Sequence, residues 1–177
     1  MLGLGVIDAL LKGNTPLPSI IDIEASGFGA DSYPIELGVV RDDGARFCRL
    51  IKPFDDWCHW DEQAASLHGI TREKLLRHGN DGIDVCLALN AFVGDSTIYS
   101  DGWVVDQPWL IKLYAAANCQ MSFRVSPLES LLKEIHLLRW DMIKSDVTVE
   151  YGGSRHRASV DAMIIQQTFQ RVTHLVP

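Results

Sequence analysis

Four carboxylates and one histidine stand out because each lies where an apolar segment ends or where a following helix begins. They are Asp22, Glu24, Asp106, His156 and Asp161. Buried carboxylates that cluster without cations repel one another, which is costly in free energy. Hard divalent cations remove this repulsion, and carboxylate oxygens are the ligands that they prefer. The set therefore predicts a two-metal site that cleaves phosphodiesters, with the histidine left to handle a proton.

The first two carboxylates are two residues apart in a segment that is typical of a buried strand. Strand alternation puts Asp22 and Glu24 on one face, with Ile21 and Ile23 on the other. Two like charges about 7 Å apart on an apolar strand need a cation or water beside them. The plainer alternative is a half-exposed strand with one polar face, and this short pattern alone favours that alternative.

Aromatic residues and glycines occur beside these carboxylates. Gly27 and Gly29 would let the backbone approach a ligand closely, and Phe28 could stack on a nucleobase. Alternatively, they form an ordinary turn with Phe28 in the core. Trp103 and Trp109 flank the third carboxylate and could also stack on bases. Packing in the core is the commoner role of tryptophan, and we favour it for Trp109.

The third carboxylate has a competitor nearby. Asp106 is two residues into a predicted helix, and it should face the same end of the sheet as Asp22. Asp101, five residues earlier, is the alternative.

His156 and Asp161 are five residues apart, which would place them about 140° apart on one continuous helix. They could not then point at one site. We therefore expect His156 in the loop at the start of the last helix and Asp161 in its first turns. Histidine titrates near neutral pH and suits proton transfer. The alternatives are a helix-capping histidine and a surface aspartate.

Apolar segments and turn signals predict an α/β fold. A meander of three antiparallel strands precedes strand–helix–strand–helix, which implies a mixed sheet with helices on its faces. The predicted strands are 19–25, 34–41, 45–51, 97–100 and 122–125. The predicted helices are 72–77, 83–92, 104–117, one starting at the capping box 126–129, and one from 156 to about 174.

Length and composition narrow the class of protein. We expect residues 1–177 to form one domain with a short N-terminal extension, 1–17, whose residues 4–12 form an amphipathic helix. The net charge of −7 is poor for duplex DNA and favours short or single-stranded partners. No segment approaches the ~18 apolar residues of a membrane span, so no membrane partner is expected.

The cysteines lie far apart in the sequence. They are Cys48, Cys58, Cys86 and Cys119, and no two form a CxxC pair. This spacing argues against a zinc site and fits a reducing, cytoplasmic location.

Taken together, four segments resemble the DEDDh group of 3′–5′ exonucleases, which includes proofreading subunits, oligoribonuclease and ribonuclease T-like enzymes. The matching segments are DIEASGFG (22–29), LHGITREKL (67–75), VVDQPWL (104–110) and HRASVD (156–161). The resemblance extends from about residue 20 to about residue 170, with the motifs in the family's order. It implies a ribonuclease H-like fold with a five-stranded mixed sheet.

The resemblance also implies roles for the residues. Asp22, Glu24, Asp106 and Asp161 would bind two Mg²⁺ or Mn²⁺ ions, and His156 would be the general base. The products would be nucleoside 5′-monophosphates. The candidate substrate contacts are Ser26, Gly27, Phe28, His68 and Trp103.

This chain departs from the family in two places. It has Asp101-Gly102-Trp103 where the family usually has His-Asn before the second-motif aspartate, and Ser26 replaces the usual threonine. The first departure alters the wall of the groove, and the second keeps the hydroxyl.

The sequence thus predicts a metal-dependent 3′–5′ exonuclease acting on single-stranded DNA or RNA ends. One alternative is an oligoribonuclease-like enzyme for very short RNAs. Another is a weakly catalytic binding subunit that docks through its apolar N-terminal segment. A homodimer is an option by analogy with small relatives.

Overall fold

The computed structural model describes residues 16–152 and 156–175, which form five strands and six α-helices. The strands are β1 (Ile20–Ala25), β2 (Pro34–Val40), β3 (Arg46–Leu50), β4 (Thr97–Ser100) and β5 (Arg124–Pro127). The helices are α1 (Glu62–His68), α2 (Arg72–His78), α3 (Gly82–Val93), α4 (Trp103–Ala116), α5 (Glu134–Glu150) and α6 (Ala158–Leu175). The helix expected at 4–12 lies outside the described residues.

The strands form one mixed sheet in the order β3-β2-β1-β4-β5. β2 is antiparallel to both β1 and β3, whereas β4 is parallel to β1 and to β5. The predicted meander followed by parallel strands is therefore confirmed. Because β1 and β4 are parallel neighbours, their carboxyl ends meet at one edge of the sheet, where sites in such folds form.

The two faces of β1 pack against different helices. Ile21 and Ile23 point into the large core, which includes residues of α3 and α4. Ile20 points to the opposite face and packs with Ile165 and Phe169 of α6. Strand alternation places the acidic residues of β1 on this second face, under the start of α6.

A glycine in β2 permits the close approach of α6. A Cβ atom on Gly38 would lie 2.1 Å from the carbonyl carbon of Ala158, the first residue of α6. Gly38 is also the register partner of Asp22. Any side chain at position 38 would push the start of α6 away from the acidic face of β1.

Two parts of the sequence prediction differ from the structure. The helix expected to start at 126–129 begins later, because β5 extends to Pro127, a 3₁₀ turn, Leu128–Leu131, follows, and α5 starts only at Glu134. Ser126 pairs with Tyr99 in the sheet, which keeps its backbone extended. Helix α1 was not predicted; the carboxylate of Asp61 accepts hydrogen bonds at its N-terminus, and Gly69 ends it with φ 64°.

None of the described helices is long and apolar enough to cross a membrane. All four cysteines lie in the described part of the chain and carry free thiols.

Candidate functional site

A cavity of about 270 Å³ opens at the edge where β1 and β4 end. All five residues singled out by the sequence line this cavity: Asp22, Glu24, Asp106, His156 and Asp161. They come from β1, α4, the loop before α6, and α6 itself. The fold thus brings together side chains that are up to 139 residues apart in the chain, since they span positions 22 to 161.

The two carboxylates of β1 lie in a strongly negative environment. Burial raises the pKa of Asp22 well above its usual value, and the charges of Asp106 and Asp161 raise it further. Burial, followed by the charges of Asp161 and Glu36, raises the pKa of Glu24 to about 7. Both shifts show that the ionised carboxylates lack enough positive charge around them.

Asp106 provides the third carboxylate from the first turn of α4, and it is only 4% exposed. Burial raises its pKa to about 7, although a hydrogen bond donated by the Ser100 hydroxyl opposes the shift. The competing Asp101 instead forms an ion pair with Lys144 of α5 and does not line the cavity. The geometry therefore favours Asp106 over Asp101 as the third carboxylate of the cavity.

His156 and Asp161 have the arrangement that the sequence predicted. His156 precedes α6 with a left-handed backbone, φ 66°, and Asp161 lies in the first turn of the helix. The backbone N–H of His156 donates to Asp161 Oδ2 at 2.8 Å, which helps to hold this less favoured conformation. Ligand atoms of Glu24, His156 and Asp161 all lie within 4.8 Å of one another.

A buried ion pair that the sequence did not suggest anchors the start of α6. Glu36 of β2 is 0% exposed, and it accepts hydrogen bonds from Arg157 Nη2 at 2.6 Å and from Arg157 Nε at 3.0 Å. The backbone N–H of Ala158 donates to the same carboxylate at 3.0 Å. Because Arg157 adjoins His156, this pair positions the histidine loop. The sequence signal that could have indicated this pair is the single glutamate within the otherwise apolar strand PIELGVV.

Three of the candidate substrate contacts line the cavity, namely Gly27, Phe28 and His68. Phe28 is 71% exposed, as a stacking surface would need to be. His68 Nδ1 accepts from the backbone N–H of Ile70 at 3.1 Å, so the ring proton lies on Nε2. No described residue accepts a hydrogen bond from that Nε2 atom.

The other two candidate contacts, Ser26 and Trp103, do not line the cavity. The Ser26 hydroxyl is buried, where it accepts from the backbone N–H of Tyr33 and bonds with His59 Nδ1, both at 3.1 Å. The indole N–H of Trp103 donates to the Val125 carbonyl oxygen at 3.2 Å.

Trp109 contacts both the large core and the cavity. It packs against the large core, as expected, but it also lines the cavity. Its indole N–H donates to Ser32 Oγ at 2.9 Å, which fixes the ring. Four apolar residues line the acidic cavity beside the carboxylates, and we call them the apolar rim: Phe28, Leu67, Val105 and Trp109.

The residues present fit hard divalent cations. Four carboxylates supply oxygen ligands, and the imidazole of His156 stands beside them. The raised pKa values of Asp22, Glu24 and Asp106 indicate missing positive charge at the point where these side chains converge.

The sequence matches no protein-family model and no curated protein sequence. The structure, in contrast, resembles solved exonuclease structures. Exonuclease I of E. coli in complex with a dA16 oligonucleotide has a TM-score of 0.64 at 12% identity, covering 89% of this chain and 42% of that one. The zinc-ion-bound E. coli exonuclease I complex with single-stranded DNA has a TM-score of 0.68 at 13% identity, covering 90% of this chain and 41% of that one.

A third structure, the moderately thermophilic exonuclease I of Methylocaldum szegediense, gives a TM-score of 0.69 at 13% identity, covering 90% of this chain and 40% of that one. At such identities the likeness shows the fold, which is ribonuclease H-like as the sequence predicted. This chain spans about two fifths of the length of these chains.

Proposed function

We propose that this protein is a metal-dependent 3′–5′ exonuclease that hydrolyses single-stranded DNA or RNA ends to nucleoside 5′-monophosphates. The observation that carries the proposal is the convergence of four carboxylates and one histidine in a single cavity. Asp22, Glu24, Asp106 and Asp161 would hold two Mg²⁺ or Mn²⁺ ions. When bound, the ions would supply the attacking nucleophile at neutral pH and neutralise charge on the reacting phosphate.

His156 is the proposed general base. Its side chain lines the cavity beside Glu24 and Asp161, so it can take a proton from the attacking water without leaving the loop. Asp161 would then have two roles, because its carboxylate also accepts the backbone N–H that holds this loop.

The apolar rim supports a substrate with unstacked bases. Phe28 and Trp109 offer aromatic surfaces next to the carboxylates, and bases can reach such surfaces only where a strand is single. The exonuclease I structures with single-stranded oligonucleotides are consistent with the same substrate class. The 3′–5′ direction comes from the resemblance of the motifs to the DEDDh group.

The finer expectations remain proposals. A single domain over residues 1–177 and a cytoplasmic location stay predictions from the sequence. No observation supports the homodimer. The oligoribonuclease-like alternative differs in substrate length, and the binding-subunit alternative differs in having little hydrolysis.

Product analysis tests the proposal. Single-stranded DNA and RNA of several lengths, labelled at the 5′ end, are incubated with Mg²⁺, Mn²⁺ or EDTA, beside the variant Asp22→Asn. We expect ladders that shorten from the 3′ end with either metal, and intact substrate with EDTA or with the variant. Cleavage confined to the shortest RNAs would favour the oligoribonuclease-like enzyme. Binding without cleavage in both metals would contradict the proposed activity.

A further inference from the structure

Lys144 of α5 lines the same cavity as the four carboxylates. It is the one lysine or arginine among the described residues that line this cavity. Its ammonium group forms an ion pair with Asp101, in the turn between β4 and α4. The two side chains are only 25% and 17% exposed, so this pair is better shielded from water than an ordinary surface pair.

The position of Lys144 suits it to contact a substrate. It also lines an adjoining cavity of about 300 Å³, so it stands at the border between the two. The adjoining cavity contains Asp101, Glu129 and Asp141, which would repel a phosphate backbone. On the other side, two divalent cations bound by the catalytic carboxylates would reverse this repulsion, so an anion held by Lys144 would lie on that side.

The chemistry of the pair leaves Lys144 able to bind an anion. An ammonium group has three N–H donors, and the contact with one Asp101 oxygen uses one of them. Asp101 fixes the direction of a side chain that otherwise has high rotamer entropy. Asp101, in the segment 101–103 that departs from the DEDDh pattern, is thus the partner of an ion pair with a lysine of the cavity wall.

We propose that Lys144 binds a backbone phosphate of the single-stranded substrate and that Asp101 is the positioning residue that holds it there. This inference rests on the proposed function for the identity of the ligand. A different role would be purely local: Lys144 would only neutralise Asp101, or would only join α5 to the turn after β4.

Equilibrium binding across a range of salt concentrations distinguishes these roles. The probe is a short 5′-labelled oligothymidylate, measured with Ca²⁺ so that binding is read without hydrolysis. Each phosphate contact that a protein makes with a single strand adds about 0.7 to the slope of log affinity against log salt. We expect Lys144→Gln to weaken binding about tenfold and to reduce the slope by about 0.7. Lys144→Arg should keep the slope of the wild type.

A matched control removes the same charge elsewhere. Lys52 is exposed and does not line the cavity, so Lys52→Gln should leave both affinity and slope unchanged. Melting temperature and Mn²⁺ binding, measured for each variant, show that its fold and metal site are intact. An unchanged slope in folded Lys144→Gln would overturn the proposal.

The double variant Lys144→Gln with Asp101→Asn tests the local role. If Lys144 only neutralises Asp101, removing both charges restores the affinity and the slope, which would also overturn the proposal. If Lys144 contacts phosphate, the reduced slope persists in the double variant. Failure of the proposed function is recognised separately, because wild-type protein would then bind the oligothymidylate without cleaving it in Mg²⁺ or Mn²⁺.

Discussion

Glu24 and Glu36 are register partners on neighbouring strands, yet their surroundings are opposite. Glu36 is fully buried and receives hydrogen bonds from the Arg157 guanidinium and the Ala158 N–H. The Glu24 side chain forms no hydrogen bond or ion pair with any described residue, and burial and nearby carboxylates raise its pKa to about 7. The charge of Glu36 is paired within the protein, whereas that of Glu24 is largely uncompensated, since only the Arg157 charge opposes the rise in its pKa.

This difference distinguishes a carboxylate with a structural role, Glu36, from one with a proposed functional role, Glu24. A buried charge that the protein satisfies can stay for the sake of the fold, because the pair holds α6 against the sheet. Glu24 is only partly buried, but a carboxylate shielded from water without a partner still destabilises the folded protein unless a ligand binds it. The uncompensated group at β1 is therefore where an external cation is expected, and the compensated pair next to it keeps that position fixed.

The largest expected effect is the loss of activity when one of the uncompensated carboxylates of β1 is removed. Asp22→Asn removes a proposed metal ligand from the centre of the carboxylate cluster. We expect hydrolysis to fall by more than about 100-fold, since removing even a hydrogen-bond partner of a metal ligand costs about 10–100-fold. End-labelled substrate in Mn²⁺ provides the measurement, with melting in EDTA as the check on folding. Near wild-type turnover in a folded variant would remove Asp22 from the site.

The next effect separates proton transfer from metal binding. His156→Ala should lose about 10²–10⁴-fold in kcat, the usual contribution of a general base, while Mn²⁺ binding persists. Single-turnover rates and calorimetry measure the two properties independently. Equal activity of variant and wild type would exclude His156 as the base.

Stability should change in opposite directions at the two glutamates. In EDTA at pH 8, Glu24→Gln removes a repelled charge, so the melting temperature rises. Glu36→Gln breaks a buried pair and should destabilise by about 2–3 kcal/mol, less than a fully buried pair because Arg157 is 40% exposed. The exposed Glu73, paired with Arg77, is the matched control, and Glu73→Gln should change little. Changes in stability of the same sign in Glu24→Gln and Glu36→Gln would contradict the difference drawn between the two glutamates.

Stability without metal should also depend on pH. Glu24 and Asp106 each have a pKa raised to about 7, so the folded protein keeps their protons where the unfolded chain has lost them. The unfolding free energy should therefore decline as pH rises from about 4 through about 7. Denaturant titrations in EDTA would show this decline, and saturating Mn²⁺ should reduce it. A free energy that rises over this range would contradict the raised pKa values.

The sequence predicted much of this architecture because local signals were strong. Strand alternation placed Asp22 and Glu24 on one face, and the five-residue spacing separated His156 in a loop from Asp161 on a helix. The local pattern alone did not exclude Asp101 in favour of Asp106, since the ion-pair partner of Asp101 is Lys144, 43 residues away.

Long-range contacts account for the rest of what was missed. The Glu36 to Arg157 pair joins residues 121 positions apart, and neither has a local pattern that announces the other. The role of Gly38 is likewise visible only when Ala158 lies against it. Ser126 had a capping signal, but pairing with Tyr99 in the sheet overrode it.

Calorimetric titration of Mn²⁺ into metal-free protein, with wild type beside Asp22→Asn and Glu36→Gln, tests most directly whether the uncompensated carboxylates are a cation site. Two ions should bind each wild-type chain, Asp22→Asn should lose at least one, and folded Glu36→Gln should keep its ligands but bind more weakly. A wild-type chain that takes up no Mn²⁺, or an Asp22→Asn chain that binds like wild type, would contradict the account.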